Sequence, residues 1–230
     1  MKKKIGIVGG LSPESTVSYY LHITRTYSER FGDYEYPEII IYSANLERYH
    51  AWRSDNRWDL IADDLAASFQ KLKNAGAEFG LIATNTMHKV YDQVAEKAGL
   101  PLINIIDETA GKAKELGLKT LGLLGTRYTM SDGFYQNRLS RFGLETVAPN
   151  PLQQEVIHKI IVEELVRGRF LDKSRQRYLD IMEELVAKGA QGVILGCTEI
   201  PLLVRQEDLS APLLDTAIIH AEAALKYALS

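Results

Sequence analysis

The chain has 230 residues, 46% of them apolar and 25% charged, with 27 basic against 30 acidic side chains and a net charge of −3. That balance excludes a disordered or collagen-like chain, because enough apolar surface is present to offset the entropy of ordering. With no basic run beyond Lys2-Lys3-Lys4, nothing marks the chain for nucleic acid or for an anionic membrane surface.

No uninterrupted apolar stretch approaches the roughly 18 residues that a spanning helix needs. The apolar run from Ile5 to Leu11 is short and contains Gly6, Gly9 and Gly10. Ser12-Pro13-Glu14-Ser15 follows it instead of a small-residue cleavage site. It does not read as a signal peptide, so the cytoplasm is the expected location. Cys197 is the single cysteine. An intrachain disulfide and a multi-cysteine zinc or iron–sulfur site are therefore excluded.

Residues 5–8 form a β-branched run ending in Gly9-Gly10 and read as a buried strand. Residues 14–30 read as a helix and 38–43 as a second strand. From Trp58 to Ala75, Leu60, Ile61, Leu65, Phe69 and Leu72 share one helical face that ends at Gly76. Residues 79–83 read as a third strand running into Thr84-Asn85-Thr86, and 102–105 as a fourth. In the second half, strand 120–124 ends in Gly125. A helix marked by Val156, Ile157, Ile160, Ile161 and Leu165 is stopped by Gly168. Another, marked by Tyr178, Ile181, Met182 and Leu185, is stopped by Gly189. Strand 193–195 leads to Gly196-Cys197-Thr198. Strands alternating with helices predict βαβ units and parallel sheets, an α/β class.

The alternation contains a repeat. Ile5-Gly-Ile-Val-Gly9 matches Leu121-Gly-Leu-Leu-Gly125, 116 residues on. Gly76-Ala77-Glu78 before Thr84 matches Gly189-Ala190-Gln191 before Cys197, at 113 residues. Pro101-Leu-Ile-Asn104 matches Pro212-Leu-Leu-Asp215, at 111. Three matches in one order predict two similar parallel-sheet α/β domains related by a pseudo-twofold. The first is residues 1–105 with about 210–230, and the second about 106–209. Ligands of open α/β sheets sit beyond the carboxyl ends of the strands. The expected site is thus a cleft between the domains, with Thr84 and Cys197 at equivalent positions.

Each motif has a bland reading beside the functional one. The turn at Gly9, Gly10 and Ser12 fails the dinucleotide and phosphate-loop spacings. It is either structural or a helix start whose free amides hold a carboxylate. Thr84-Asn85-Thr86 either caps a helix or supplies donors to a carboxylate. Thr198 stands where the repeat places Asn85. Cys197 is either inert core or, at a helix start with Pro201 just inside, a thiol of lowered pKa. Glu199 opposes that lowering if it points inward. His88 has no second ligand at metal spacing and reads as structural. No metal constellation appears among the five histidines.

Thr84-Asn-Thr-Met-His88 and Gly196-Cys-Thr-Glu199 together resemble the aspartate/glutamate racemase family of cofactor-independent amino-acid racemases. The likeness runs from Ile5 to Thr216. Usual members carry two cysteines, one removing the α-proton and one returning a proton to the opposite face. This chain keeps the second as Cys197 and has Thr84 for the first, and so is most similar to the branch acting on L-aspartate and L-glutamate. The resemblance implies Cys197 and Thr84 as the acid–base pair and a small acidic amino acid as substrate. It implies no cofactor and a homodimer. Asn85, Thr86, Thr126 and Thr198 would hold the α-carboxylate and amino group, and Arg48 the side-chain carboxylate. Gly10, Ser12 and Glu199 are counted with the substrate-binding residues. A lysine that some aspartate racemases use is replaced in the stretch Leu165-Val166-Arg167-Gly168. The alternatives are a one-cysteine decarboxylase or isomerase of small diacids, and a protein that only binds acidic amino acids.

Overall fold

The computed structural model describes residues 2–230. The chain divides into two compact units, one running to Ile105 and again from Ala217 to Ser230, the other Ile106–Thr216. In the first unit, β1 (Ile5–Gly9) leads into α1 (Pro13–Phe31) and β2 (Ile39–Ser43). Helices α2 (Leu46–Ser54) and α3 (Trp58–Asn74) precede β3 (Phe79–Ile82). A 3-10 turn (Thr86–Val90), α4 (Tyr91–Ala98) and β4 (Leu102–Ile103) follow. Helix α5 (Ile105–Glu115) carries the chain into the second unit. There β5 (Thr120–Gly125), α6 (Arg127–Ser131), α7 (Phe134–Ser140) and β6 (Glu145–Val147) precede α8 (Pro151–Glu163). Helix α9 (Asp172–Ala187), β7 (Gly192–Gly196) and β8 (Leu213–Asp215) complete it, and α10 (Thr216–Ala228) returns the chain to the first unit.

Both sheets are four-stranded and parallel, with orders β2-β1-β3-β4 and β6-β5-β7-β8. The α/β class and the likeness of the two halves follow from these orders. Register makes the likeness residue-specific. Val8 pairs with Ile82 as Leu124 pairs with Leu195, and Leu81 pairs with Ile103 as Ile194 pairs with Leu214. These pairs reproduce the sequence offsets, so Thr84 and Cys197 each stand two residues past matching points of their sheets.

The first sheet is covered on both faces, which is why its strands read as continuous apolar runs. Ile5, Ile7, Phe79 and Leu81 face Tyr19, Ile23 and Ala221 of α1 and α10. Val8 and Ile82 face Ile61, Leu65 and Phe69 of α3. Burying each such side chain stabilises the fold by roughly 2 kcal/mol relative to leaving it in water. Gly80 is small of necessity, since a Cβ there would lie 2.5 Å from the Phe69 ring. In the second unit, Leu124, Val193 and Leu195 pack on Ile157, Ile161, Tyr178 and Leu185 of α8 and α9.

Local signals set the helix ends. Ser12 caps α1 with Pro13 in its first turn, and Gly32 closes it in the left-handed region. Asn150 and Gln153 form a reciprocal capping box on α8. Two boundaries differ by two residues from the sequence reading. Helix α8 ends at Glu163, and a separate 3-10 turn, Leu165–Arg167, carries the chain to Gly168. The strand expected over residues 102–105 stops at Ile103, because the Ile105 amide is given to the His88 imidazole and begins α5.

Among the described residues, no helix is long and apolar enough to cross a membrane, and no group of three or more His, Cys, Asp or Glu could hold a metal ion.

His220 on α10 is fully buried. Its Nε2 faces the Ile103 carbonyl at 3.1 Å and its Nδ1 the Tyr19 hydroxyl at 2.9 Å. Burial lowers its pKa from the ordinary 6.5 to about 4. The unfolded chain therefore binds a proton at this residue before the folded chain does. Its stabilisation is full above pH 6.5 and is lost as pH falls towards 4. Urea unfolding of the protein and of His220→Gln should show their stability difference shrinking by about 3 kcal/mol between pH 7 and pH 4. A pH-independent difference would contradict this.

Candidate active site

In the first unit the carboxyl ends of β1 and β3 bring the turn at Gly10 and the Thr84 loop to one end of the sheet. Gly10 has φ +75°, and a Cβ there would lie 2.5 Å from the Ala44 carbonyl oxygen, so the turn accepts only glycine. Its amide is already committed, donating to Thr16 Oγ1 at 2.8 Å. The Ser15 amide is capped by Ser12 Oγ at 3.3 Å, and the Ser15 hydroxyl donates to the Ala83 carbonyl at 3.0 Å. The Gly10 amide is thus not free to hold a carboxylate, which favours the structural reading of this turn. The helix start is self-capped, and it braces the Thr84 loop through Ala83.

Thr84 is half-buried, and its backbone is held at both ends. Its amide donates to the Ile82 carbonyl at 2.8 Å, and its carbonyl accepts from His88 Nδ1 at 2.8 Å. Asn85 and Thr86 follow in the first turn of the 3-10 segment, both buried. The structure thus brings Thr84, Asn85 and Thr86 together as a block of polar side chains on a braced loop.

In the second unit, β7 ends at Gly196 and delivers Cys197, Thr198 and Glu199 ahead of a 3-10 turn, Ile200–Leu202, with Pro201 in its first turn. Glu199 is only 3% exposed, so it does point inward. Its Oε2 accepts from Cys197 Sγ at 2.9 Å and from the Thr198 hydroxyl at 3.1 Å. Thr126, at the end of the neighbouring β5, caps α6 by accepting from the Thr129 amide at 3.4 Å.

The electrostatics of Cys197 overturn the lowered pKa expected for it. A three-residue 3-10 turn is no full helix terminus with an aligned dipole. Burial pushes the thiol well up, and the Glu199 carboxylate pushes it further, against opposing help from the Thr198 and Glu199 amides. Tyr178, buried in the same cluster, is also held well above its ordinary value by burial and then by Cys197, Glu199 and Glu164. Glu164 is itself engaged by the Ser174 hydroxyl. At rest the cysteine is therefore a thiol, hydrogen-bonded to a carboxylate.

Arg48, on α2, pairs with Asp64 at 3.1 Å and sits over the Trp52 ring at 5.1 Å. The Tyr49 hydroxyl donates to the same carboxylate at 2.8 Å. Glu199, counted with the substrate contacts, has its Oε2 occupied by its own neighbours. The inward-pointing Glu199 opposes a lowered thiol pKa as the sequence reading foresaw, whereas the role of Asp64 towards Arg48 escaped it. Nothing along the chain signals the Asp64 contact, which joins residues 16 positions apart.

Two like parallel sheets, each followed by a small polar cluster at the same strand position, define a two-unit α/β protein with candidate chemistry at its strand ends. Residues 8–224 match the family described as Asp/Glu/Hydantoin racemase, and the chain belongs to that family. A solved chain from Yersinia pestis, described as a candidate Asp/Glu racemase, is 42% identical, with 99% of this chain and 100% of that one covered and a TM-score of 0.93. An aspartate racemase homologue from Pyrococcus horikoshii OT3 is 38% identical over 100% of both chains, with a TM-score of 0.88. The broad specificity amino-acid racemase RacX of Bacillus subtilis (strain 168) is 23% identical over 221 residues, 95% of each chain.

Because Cys197 is the single cysteine, the ultraviolet band of the thiolate reports it alone once the Cys197→Ser signal is subtracted. Titration should place its pKa above the ordinary thiol range, and Glu199→Gln should bring it down by removing the adjacent negative charge. A wild-type thiol titrating at or below the ordinary value would contradict the electrostatics described.

Proposed function

We propose that the chain is a cofactor-independent racemase of acidic amino acids, in which Cys197 exchanges the α-proton of the L-enantiomer and Thr84 stands in for the second acid–base group. The observation that carries this reading is the matched register, which makes Thr84 and Cys197 counterparts in two like units. Inversion at carbon calls for two such groups, one for each face. The aspartate racemase homologue at 38% identity supports an acidic substrate.

The α-proton of an amino acid is far less acidic than any protein base. The site must therefore stabilise the carbanion electrostatically, with hydroxyl and amide donors on the α-carboxylate as enolate-like charge develops. In this reading Asn85, Thr86, Thr126 and Thr198 supply those donors. Arg48, stacked on Trp52 and partly neutralised by Asp64, takes the side-chain carboxylate. Cys197 becomes a base only when its proton moves to Glu199, its hydrogen-bond partner. The substrate ammonium favours that transfer by placing positive charge beside the new thiolate. Thr84 is too weak an acid or base to match a thiol, so it relays protons through water or shapes the site. The reading includes a homodimer, checked by sedimentation at twice the chain mass.

A second reading is favoured by one observation, the protonated thiol. Decarboxylation of a small diacid needs a proton donor on one face and no base on the other. A protein that releases carbon dioxide from malonates and leaves aspartate untouched would establish it.

The deciding experiment is proton NMR of L-aspartate and L-glutamate in heavy water, with chiral chromatography of the same samples. Loss of the α-proton signal with appearance of the D-isomer is expected, and Cys197→Ser should abolish both. Enantiomers are equal in free energy, so kcat/KM must come out equal in the two directions. Thr84→Cys should raise activity on D-aspartate. Undiminished exchange in Cys197→Ser would overturn the assignment of the base.

A further inference from the structure

The geometry points to His88 as a positioning residue of this reaction: as a neutral imidazole carrying its proton on Nδ1, it holds the Thr84 carbonyl and with it the direction of the Thr84 side chain. The inference rests on the racemase reading for its kinetic consequence and on the structure of the first unit for its geometry.

The tautomer follows from the two backbone groups that the ring meets. The Ile105 amide donates to Nε2 at 3.2 Å, so Nε2 bears no proton. Nδ1 therefore carries it and donates to the Thr84 carbonyl at 2.8 Å. One ring thus joins the end of the β3 loop to the first residue of α5. It is 4% exposed.

Its surroundings keep the ring in place. Tyr91 stacks against it, 5.5 Å between centroids and 8° from parallel, and the Tyr91 hydroxyl donates to the Leu102 carbonyl at 2.7 Å. His220 meets it edge-on at 5.9 Å, holding Ile103 through the opposite tautomer. Leu102, Ile103 and Ile105 are each bound by an aromatic or imidazole side chain of this cluster, and Thr84 is the fourth backbone point. With the Thr84 amide tied to Ile82 as well, the peptide groups on either side of Thr84 cannot rotate.

The second unit has no such device. Pro201 stands where the repeat places His88, and the Cys197 carbonyl accepts from the Ile200 amide at 3.1 Å in an ordinary 3-10 turn. Loss of the imidazole bond therefore bears on the Thr84 face and leaves the Cys197 face as it was. A residue that only stabilised the protein would affect both faces alike.

The test compares His88→Asn, whose side-chain amide reaches the position of Nδ1, with His88→Gln, whose amide reaches only that of Nε2. In His88→Gln the formation of D-aspartate from L-aspartate should fall at least ~10-fold while exchange of the α-proton changes by less than ~3-fold. His88→Asn should keep both within ~3-fold of wild type. Equal losses in the two variants, or exchange falling in step with inversion, would overturn the proposal. Without substrate, the 15N shift of the Asn85 amide, on the same peptide group as the Thr84 carbonyl, should move in His88→Gln and return in His88→Asn. A wild-type protein with no exchange would sink the racemase reading alone, whereas an unmoved Asn85 amide in His88→Gln would sink the role of His88.

Discussion

A parallel strand buried on both faces can offer a functional side chain only where it ends, since every earlier side chain is committed to core packing. Both sheets of this protein obey that constraint. In the first unit, β1 and β3 lie between α1 and α10 on one side and α3 on the other, without a polar side chain along either strand. The first polar side chain after β3 is Thr84, and the first polarisable one after β7 is Cys197. Because the strands ahead of them pair in matching register, Thr84 and Cys197 hold equal positions in their two sheets. Everything proposed about the chemistry depends on that placement.

The two strand-end clusters differ in how their backbone is held and in what they can titrate. Around Thr84 the bracing is by side chains, with Ser15 on Ala83 and His88 on Thr84 itself. Around Cys197 the backbone turn is local, and the side-chain interactions go to a buried carboxylate that raises the thiol. The arrangement holds the sole thiol of the chain away from the reactive thiolate form.

Much of the fold was legible in the sequence. Continuous apolar runs at residues 5–8, 79–83 and 120–124 marked the central strands, and the long amphipathic helices α3 and α9 showed their buried faces. Short or unpatterned elements were not legible. Helix α2 carries no apolar stripe, and β6 is three residues at a sheet edge. Such segments are made by what they pack or pair with, and local propensity does not announce them. The candidate residues were readable as types at strand ends, but their states were not. The reading left Gly10 open because it could not see Thr16 taking the amide. It erred over Cys197 because the helix expected after it is a single 3-10 turn.

Composition, periodicity and the internal repeat were enough to establish a two-part α/β chain, and to single out Thr84 and Cys197 as counterparts, because those facts depend on spacing along the chain. Protonation states and commitments depend on distances between residues far apart in sequence. Burial around Cys197 comes from α8 and α9 as well as its own strand. The tautomer of His88 is set by an amide 17 positions away. The partner that neutralises Arg48 lies on the next helix. Spacing along a chain carries none of these distances, so only the folded arrangement could supply them.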